Sequence, residues 1–171
     1  MMTRDDLQRF RGLGIDPGSI SLYQQEDAAY FCTPIDAEYV GWLGYDGVHF
    51  ILLPEDERVF CVDPWGEEGS YVLPVARDFR EFLSFVLYCR DTAPLSQLYQ
   101  MTEDRFRYTL AEETDAEGSA KVDADLAAIA KKFGLSPVDP FEKVRALQAA
   151  FDPSTLKFSD EYYDTLGIER E

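Results

Sequence analysis

An α+β fold, a mostly antiparallel meander of four to six strands with helices packed on it, is the architecture that this sequence predicts. Three observations predict it. Asp46-Gly47 stands between two hydrophobic runs, the strongest short-range hairpin signal, because a type I′ turn needs φ > 0 at both central residues. At Phe79 the apolar spacing switches from two to three-four, the change from strand to helix. From Pro94 onward the pattern stays helical.

Taken in order, residues 3–14 read as a short helix ended by glycine. "IDPGS" reads as a turn, with proline fixing φ and glycine supplying φ > 0. "SLYQQ" suggests a short strand. "AAYFCTPI", residues 28–35, suggests a stronger one, limited to a strand end or an edge by Pro34. "EYVGWLGY", "VHFILL" and "RVFCVD" then form a three-stranded meander over Val40 to Asp63. "DPWGEEGSY" is a turn-rich loop, and "YVLPV" a last strand.

The helices follow. Phe79, Phe82, Leu83, Val86 and Leu87 form one apolar stripe, which should cover a face of the sheet. "TEDRFRYTLAEE" has a threonine cap and an acidic first turn. Residues 114–125 are polar, lack periodicity and read as a linker. Leu126, Ile129, Ala130 and Phe133 make the next stripe, stopped by Gly134. "DPFEKVRALQAAF" opens with Asp139, Pro140 and Glu142, a good start signal. "SDEYYDTLG" adds a short terminal helix. The division expected is an α+β domain over 1–115 and a helical extension over 116–171 packed on it.

Chemistry is sparse in this pattern. The one histidine, His49, shares a strand face with Ile51 and Leu53, while Val48, Phe50 and Leu52 point the other way. It is expected to be a half-exposed structural histidine, not a ligand or base. "GLGIDPG" lacks the lysine and spacing of a phosphate loop, and there is no Gly-x-Ser-x-Gly elbow. The acidic run of residues 115–125 does not place glycine and the closing carboxylate where a calcium loop needs them. Cys32, Cys61 and Cys89 are odd in number and widely spaced, against a disulfide framework or zinc site. Cys32 and Cys61 lie in apolar runs and read as small buried hydrophobes. No cofactor and no metal ligand set is expected.

Charge leaves two readings open: acidity that serves solubility alone, or association with a basic partner. With 33 acidic and 16 basic residues, the 171-residue chain carries a formal net charge of −17. Such a field repels phosphate backbones and anionic membranes, and attracts basic proteins. No stretch approaches a membrane span or a signal core, so the cytoplasm is the expected location. The candidate binding residues are Glu55, Asp56 and Glu57 in "PEDE", and Trp65, Glu67 and Glu68 in "WGEEGS". Two readings of Trp65 stay open: folded back over the core edge, or an exposed anchor of a binding surface.

The segment from Val40 to Arg90 resembles the SMI1/KNR4, or SUKH, superfamily over about a third of the chain. The likeness lies in the order "GYDGVHFILL", a charged turn, "RVFCVDPW", a spacer, then "YVLPVARDFREFLSFVL". The best matches are Gly47, Val59, Phe60, Asp63 and the helix Asp78 to Leu83. The resemblance implies one α+β domain. It also implies a non-catalytic module, in bacteria commonly an immunity protein that neutralises a polymorphic toxin, often a nuclease. The family pattern includes no catalytic residues. Two other classes remain: a small hydrolase assembled from scattered carboxylates, and a structural or regulatory subunit of a larger complex.

Overall fold

The computed structural model describes residues 2–24, 30–114 and 119–169. Its sheet has four antiparallel strands in the order β1-β2-β3-β4: β1 Glu38–Trp42, β2 His49–Leu52, β3 Val59–Val62 and β4 Val72–Ala76. The meander therefore runs as the turn signals imply. Asp46 (φ 57°) and Gly47 (φ 70°) both take positive φ, and the Val48 N–H closes the turn on the Tyr45 carbonyl at 3.4 Å. A Cβ on Gly47 would lie 2.7 Å from Cζ of Tyr30. Gly47→Ala is thus expected to cost about 1–3 kcal/mol. Gly14 has φ 74° with open space around it, so the excess cost of Gly47→Ala over Gly14→Ala in urea unfolding isolates the clash with the ring.

Among the described residues seven α-helices surround the sheet: α1 Met2–Arg11, α2 Phe79–Cys89, α3 Ala93–Gln97, α4 Glu103–Thr114, α5 Ser119–Phe133, α6 Phe141–Ala149 and α7 Asp160–Leu166. Their starts follow the sequence signals. The Asp78 carboxylate caps α2 by accepting from the Glu81 N–H at 2.7 Å. Thr102 Oγ1 accepts from the Arg105 N–H, and Asp139 Oδ1 from the Phe141 N–H. Gly134 (φ 64°) and Gly167 (φ 66°) follow the ends of α5 and α7.

Both faces of the sheet are covered. On one, Val40, Phe50, Leu52, Val59, Cys61 and Val75 pack with α1, α2, α5 and α6 into the main core. The α2 stripe is fully buried there, with the Phe82 ring 5.1 Å from Phe50. On the other, Ile51, Phe60, Val62 and Val72 lie beneath Cys32, Tyr162 and aromatic residues of the C-terminal stretch. The Phe151 ring sits 5.5 Å from Phe60, and Phe158 stacks on Tyr162 at 3.8 Å. One backbone bond, from the Ile35 N–H to the Lys157 carbonyl at 2.8 Å, adds to this packing. Of the segment expected as an extension, the described residues 119–169 divide between two layers: α5 and α6 join the main core, and residues 151–168 cover the second face.

Four expectations need correction. Residues 30–35 form turns, not a strand; residues 28–29 lie outside the described residues. Thr33 N–H donates to the Tyr30 carbonyl, Thr33 Oγ1 accepts from the Tyr30 N–H, and Pro34 has no donor to offer a ladder. The apolar run is explained by burial: Cys32 is fully covered against the second sheet face. "SLYQQ" contributes only an isolated bridge, Tyr23 to Trp42, with Gln25 outside the described residues. The supposed linker over 114–125 is largely helix, since α4 runs to Thr114 and α5 begins at Ser119; residues 115–118 are outside the described residues. The first turns of α5 are polar because they reach polar partners: Asp123 pairs with Arg90, and Asp125 Oδ2 accepts from Ser19 Oγ at 2.6 Å.

The fourth correction concerns His49, which is 5% exposed, not half-exposed. Residues 30–33 fold over it, and its ring stacks 5.6 Å from Tyr30 and 6.4 Å from Tyr39. Nδ1 lies 2.8 Å from the Gly47 carbonyl. A carbonyl only accepts, so Nδ1 carries hydrogen there. Nε2 faces Thr33 Oγ1 at 3.1 Å. The histidine ties the β1–β2 turn to the segment above it.

Candidate binding surface

In a meander successive loops alternate between the ends of the sheet. The β2–β3 loop carries Glu55, Asp56 and Glu57, and the β3–β4 loop carries Trp65, Glu67 and Glu68. The two acidic loops therefore sit at opposite ends, separated by the length of β3, and do not form one continuous face. The β1–β2 turn shares its end with the Trp65 loop.

The β2–β3 loop is gripped from below by the first turn of α1. Arg4 donates to the carbonyls of Asp56 (3.1 Å) and Leu53 (2.9 Å), and its Nε pairs with Glu38 at 2.8 Å. Asp56 receives Arg58 at 2.8 Å. Burial pushes the Asp56 carboxyl up, but the hydrogen bonds and charge of Arg58 outweigh it and leave it below the ordinary value. Glu57 Oε2 accepts from the Thr3 N–H at 2.8 Å, and hydrogen bonding from Thr3 holds its carboxyl low. Asp56 and Glu57 thus anchor the N-terminal helix. Glu55, exposed at φ 58°, is the loop's outward carboxylate.

The β3–β4 loop is built differently. Asp63, 4% exposed, ends β3. Its Oδ1 accepts from the Trp65 N–H and its carbonyl from the Gly66 N–H, both at 3.0 Å. Its Oδ2 accepts from the Tyr99 hydroxyl at 3.0 Å. Burial first, then the Asp63 charge, push the Tyr99 phenol up, so it stays a donor. Glu67 and Ser70 bond reciprocally: the Glu67 N–H donates to Ser70 Oγ at 2.9 Å, and the Ser70 N–H to the Glu67 carbonyl at 2.8 Å. A Cβ on Gly66 would come within 3.2 Å of the Asp63 and Ser70 carbonyl oxygens, so any larger residue would have to push the turn open by a few tenths of an ångström.

This frame presents an indole. Trp65 is 77% exposed, and its Nε1–H donates to the Asp46 carbonyl of the neighbouring turn at 3.1 Å. With its edge tied to the protein, the apolar face of the ring is what Trp65 offers to solvent. Glu67 and Glu68 are exposed beside it in sequence, and Tyr45 of the adjoining turn is 53% exposed. A ring this exposed is not folded back over the core edge. Glu68 also lines an open groove of about 980 Å³, bounded by Ile35 and by Phe158 and Tyr162 of the C-terminal stretch.

Sequence reasoning singled out Trp65 and its acids, and marked Asp63 only as a point of family resemblance, not as the residue that holds the loop. An Asp two residues before a backbone amide is a turn-forming signal, and "Asp-Pro-Trp" carried it. Nothing local marks Tyr99, which lies 36 residues from Asp63. Among the described residues no three His, Cys, Asp or Glu side chains converge as a metal site, and no helix is long and apolar enough to cross a membrane. The three cysteines are free and buried; burial pushes the Cys32 thiol up to about 12 and raises those of Cys61 and Cys89.

The class that the fold defines is α+β, a four-stranded antiparallel sheet between helices and a C-terminal covering layer. No family model, no curated protein and no solved structure matches the chain.

Proposed function

We propose that this protein is a non-catalytic binding module of the immunity type, which captures a basic, nuclease-like toxin through the sheet end that carries Trp65, Glu67 and Glu68. The exposed, tethered indole of Trp65 carries the reading. Tryptophan dominates binding hot spots, and a ring already held in place loses little freedom on association. The −17 charge supports the choice of partner, because a nuclease groove must be basic to hold phosphates and complementary potentials speed encounter. The SMI1/KNR4 resemblance supports the immunity role. In this reading the protein acts in the cytoplasm and contacts neither nucleic acid nor membrane itself.

The test takes the product of an adjoining toxin-like gene as partner. Co-expression is expected to restore growth. Trp65→Ala is expected to weaken the complex by at least about thirtyfold, some 2 kcal/mol. Glu67→Gln/Glu68→Gln should slow association and flatten its salt dependence. Equal binding by wild type and Trp65→Ala, or association indifferent to salt, defeats the proposal.

A further inference from the structure

We infer that Asp63 and Tyr99 are positioning residues for the Trp65 indole, linking the loop that presents it to the helical layer behind the sheet. The inference rests on the binding reading above and adds how that surface is kept ready. Asp63 is 4% exposed and Tyr99 half-buried, so neither is placed to carry the contact by itself. Yet four of the bonds that fix the loop pass through Asp63. Oδ1 takes the Trp65 N–H, the carbonyl takes the Gly66 N–H, and Oδ2 takes the Tyr99 O–H, each at 3.0 Å. The Asp63 N–H itself donates to the Tyr71 carbonyl at 2.8 Å, which closes the base of the loop. Tyr99 belongs to the 3₁₀ turn Leu98–Gln100, whose Leu98 is fully buried in the main core. The clamp therefore runs from the core through a phenol and a carboxylate to the amide of the presented tryptophan. The second tether, Trp65 Nε1–H to Asp46, fixes the far edge of the ring. Together they leave the indole little rotational freedom while exposing its face.

Substitutions separate this role from general stability. Asp63→Asn keeps an acceptor for the Trp65 N–H, and its amide can donate to the Tyr99 oxygen, so the clamp survives without charge. Asp63→Ala removes both bonds. Tyr99→Phe removes one, and a cavity of about 10 Å³ beside Asp63, Ser96 and Tyr99 has room for no more than one replacing water. The chain has two tryptophans, so ¹⁵N relaxation of their indole N–H groups reads Trp65 directly. Trp42, on β1, serves as the internal control for folding.

Wild type and Asp63→Asn should show a Trp65 indole as rigid as the strands. Asp63→Ala should drop it to loop-tip mobility with Trp42 unchanged, and Tyr99→Phe should give a smaller loosening. Partner affinity should fall about three- to tenfold in Asp63→Ala and recover in Asp63→Asn. A rigid Trp65 indole in both Asp63→Ala and Tyr99→Phe overturns the inference and leaves the binding reading intact. A loosened indole with undiminished partner affinity overturns it too. The binding reading fails separately, when Trp65→Ala binds as wild type does.

Discussion

Phe82→Ala is expected to remove about 4 kcal/mol of folding stability, within the ~3–5 kcal/mol typical of deleting a buried aromatic ring. Phe82 has no exposed surface and lies in the first turn of α2. Its ring meets Phe50 edge-on at 5.1 Å and stacks with Phe79 at 5.8 Å. It therefore joins helix to sheet at the centre of the main core. The neighbours are themselves large and fully buried, so collapse into the cavity is limited and the loss stays near the upper part of the range. Domains of this size are held by only about 5–15 kcal/mol in total, so the variant sits close to unfolding. Phe82→Leu keeps most of the volume and should cost about 1–1.5 kcal/mol. Urea unfolding checks both, through the shift in midpoint at constant slope. A loss under about 1 kcal/mol for the alanine variant would mean that α2 does not pack as described.

The second large effect is expected at Tyr162, where alanine should cost about 3 kcal/mol. Tyr162 is 7% exposed and touches four other rings: Phe158 at 3.8 Å, Tyr163 at 5.2 Å, Tyr71 at 6.2 Å and Phe31 at 6.4 Å. It is the hub of the layer over the second sheet face. Losing it should also loosen residues 151–168 and uncover Ile51, Phe60 and Val62, so the variant should bind a hydrophobic dye such as ANS under native conditions and lose amide protection along β2 and β3. Tyr162→Phe keeps the ring contacts and should retain most of the stability. Native-like dye binding and protection in the alanine variant would show that the layer is held independently of this residue.

The strands of the meander were legible because each depends on neighbours in sequence. Asp46-Gly47 needs positive φ at both positions and has it, and α2 follows from its stripe and from Asp78. What escaped depends on distant partners. Residues 30–35 are apolar because a segment more than a hundred residues away packs over them, and local pattern reads that apolarity as a strand. The polar start of α5 was taken for linker because its partners, Ser19 and Arg90, lie elsewhere. The two-sided burial was in principle readable. Every residue of β2 and β3 is apolar except His49, and continuous apolar strands are covered on both faces. The separation of the two acidic loops was readable as well, since a meander sends successive turns to opposite ends. That Trp65 points outward was not readable, because it depends on the carbonyl of Asp46 and on a phenol from another layer.

The sheet's borders bear on how copies of this molecule treat one another. Tyr23 bridges β1 from outside, the register of β1 slips between Tyr39 and Gly41, and β4 carries Pro74 mid-strand. Kinks and proline at outer strands spoil the template that a neighbouring chain needs for ribbon-to-ribbon growth. Added to strong mutual repulsion between like-charged copies, these features disfavour polymerisation of the chains through their strands, even in concentrated solution.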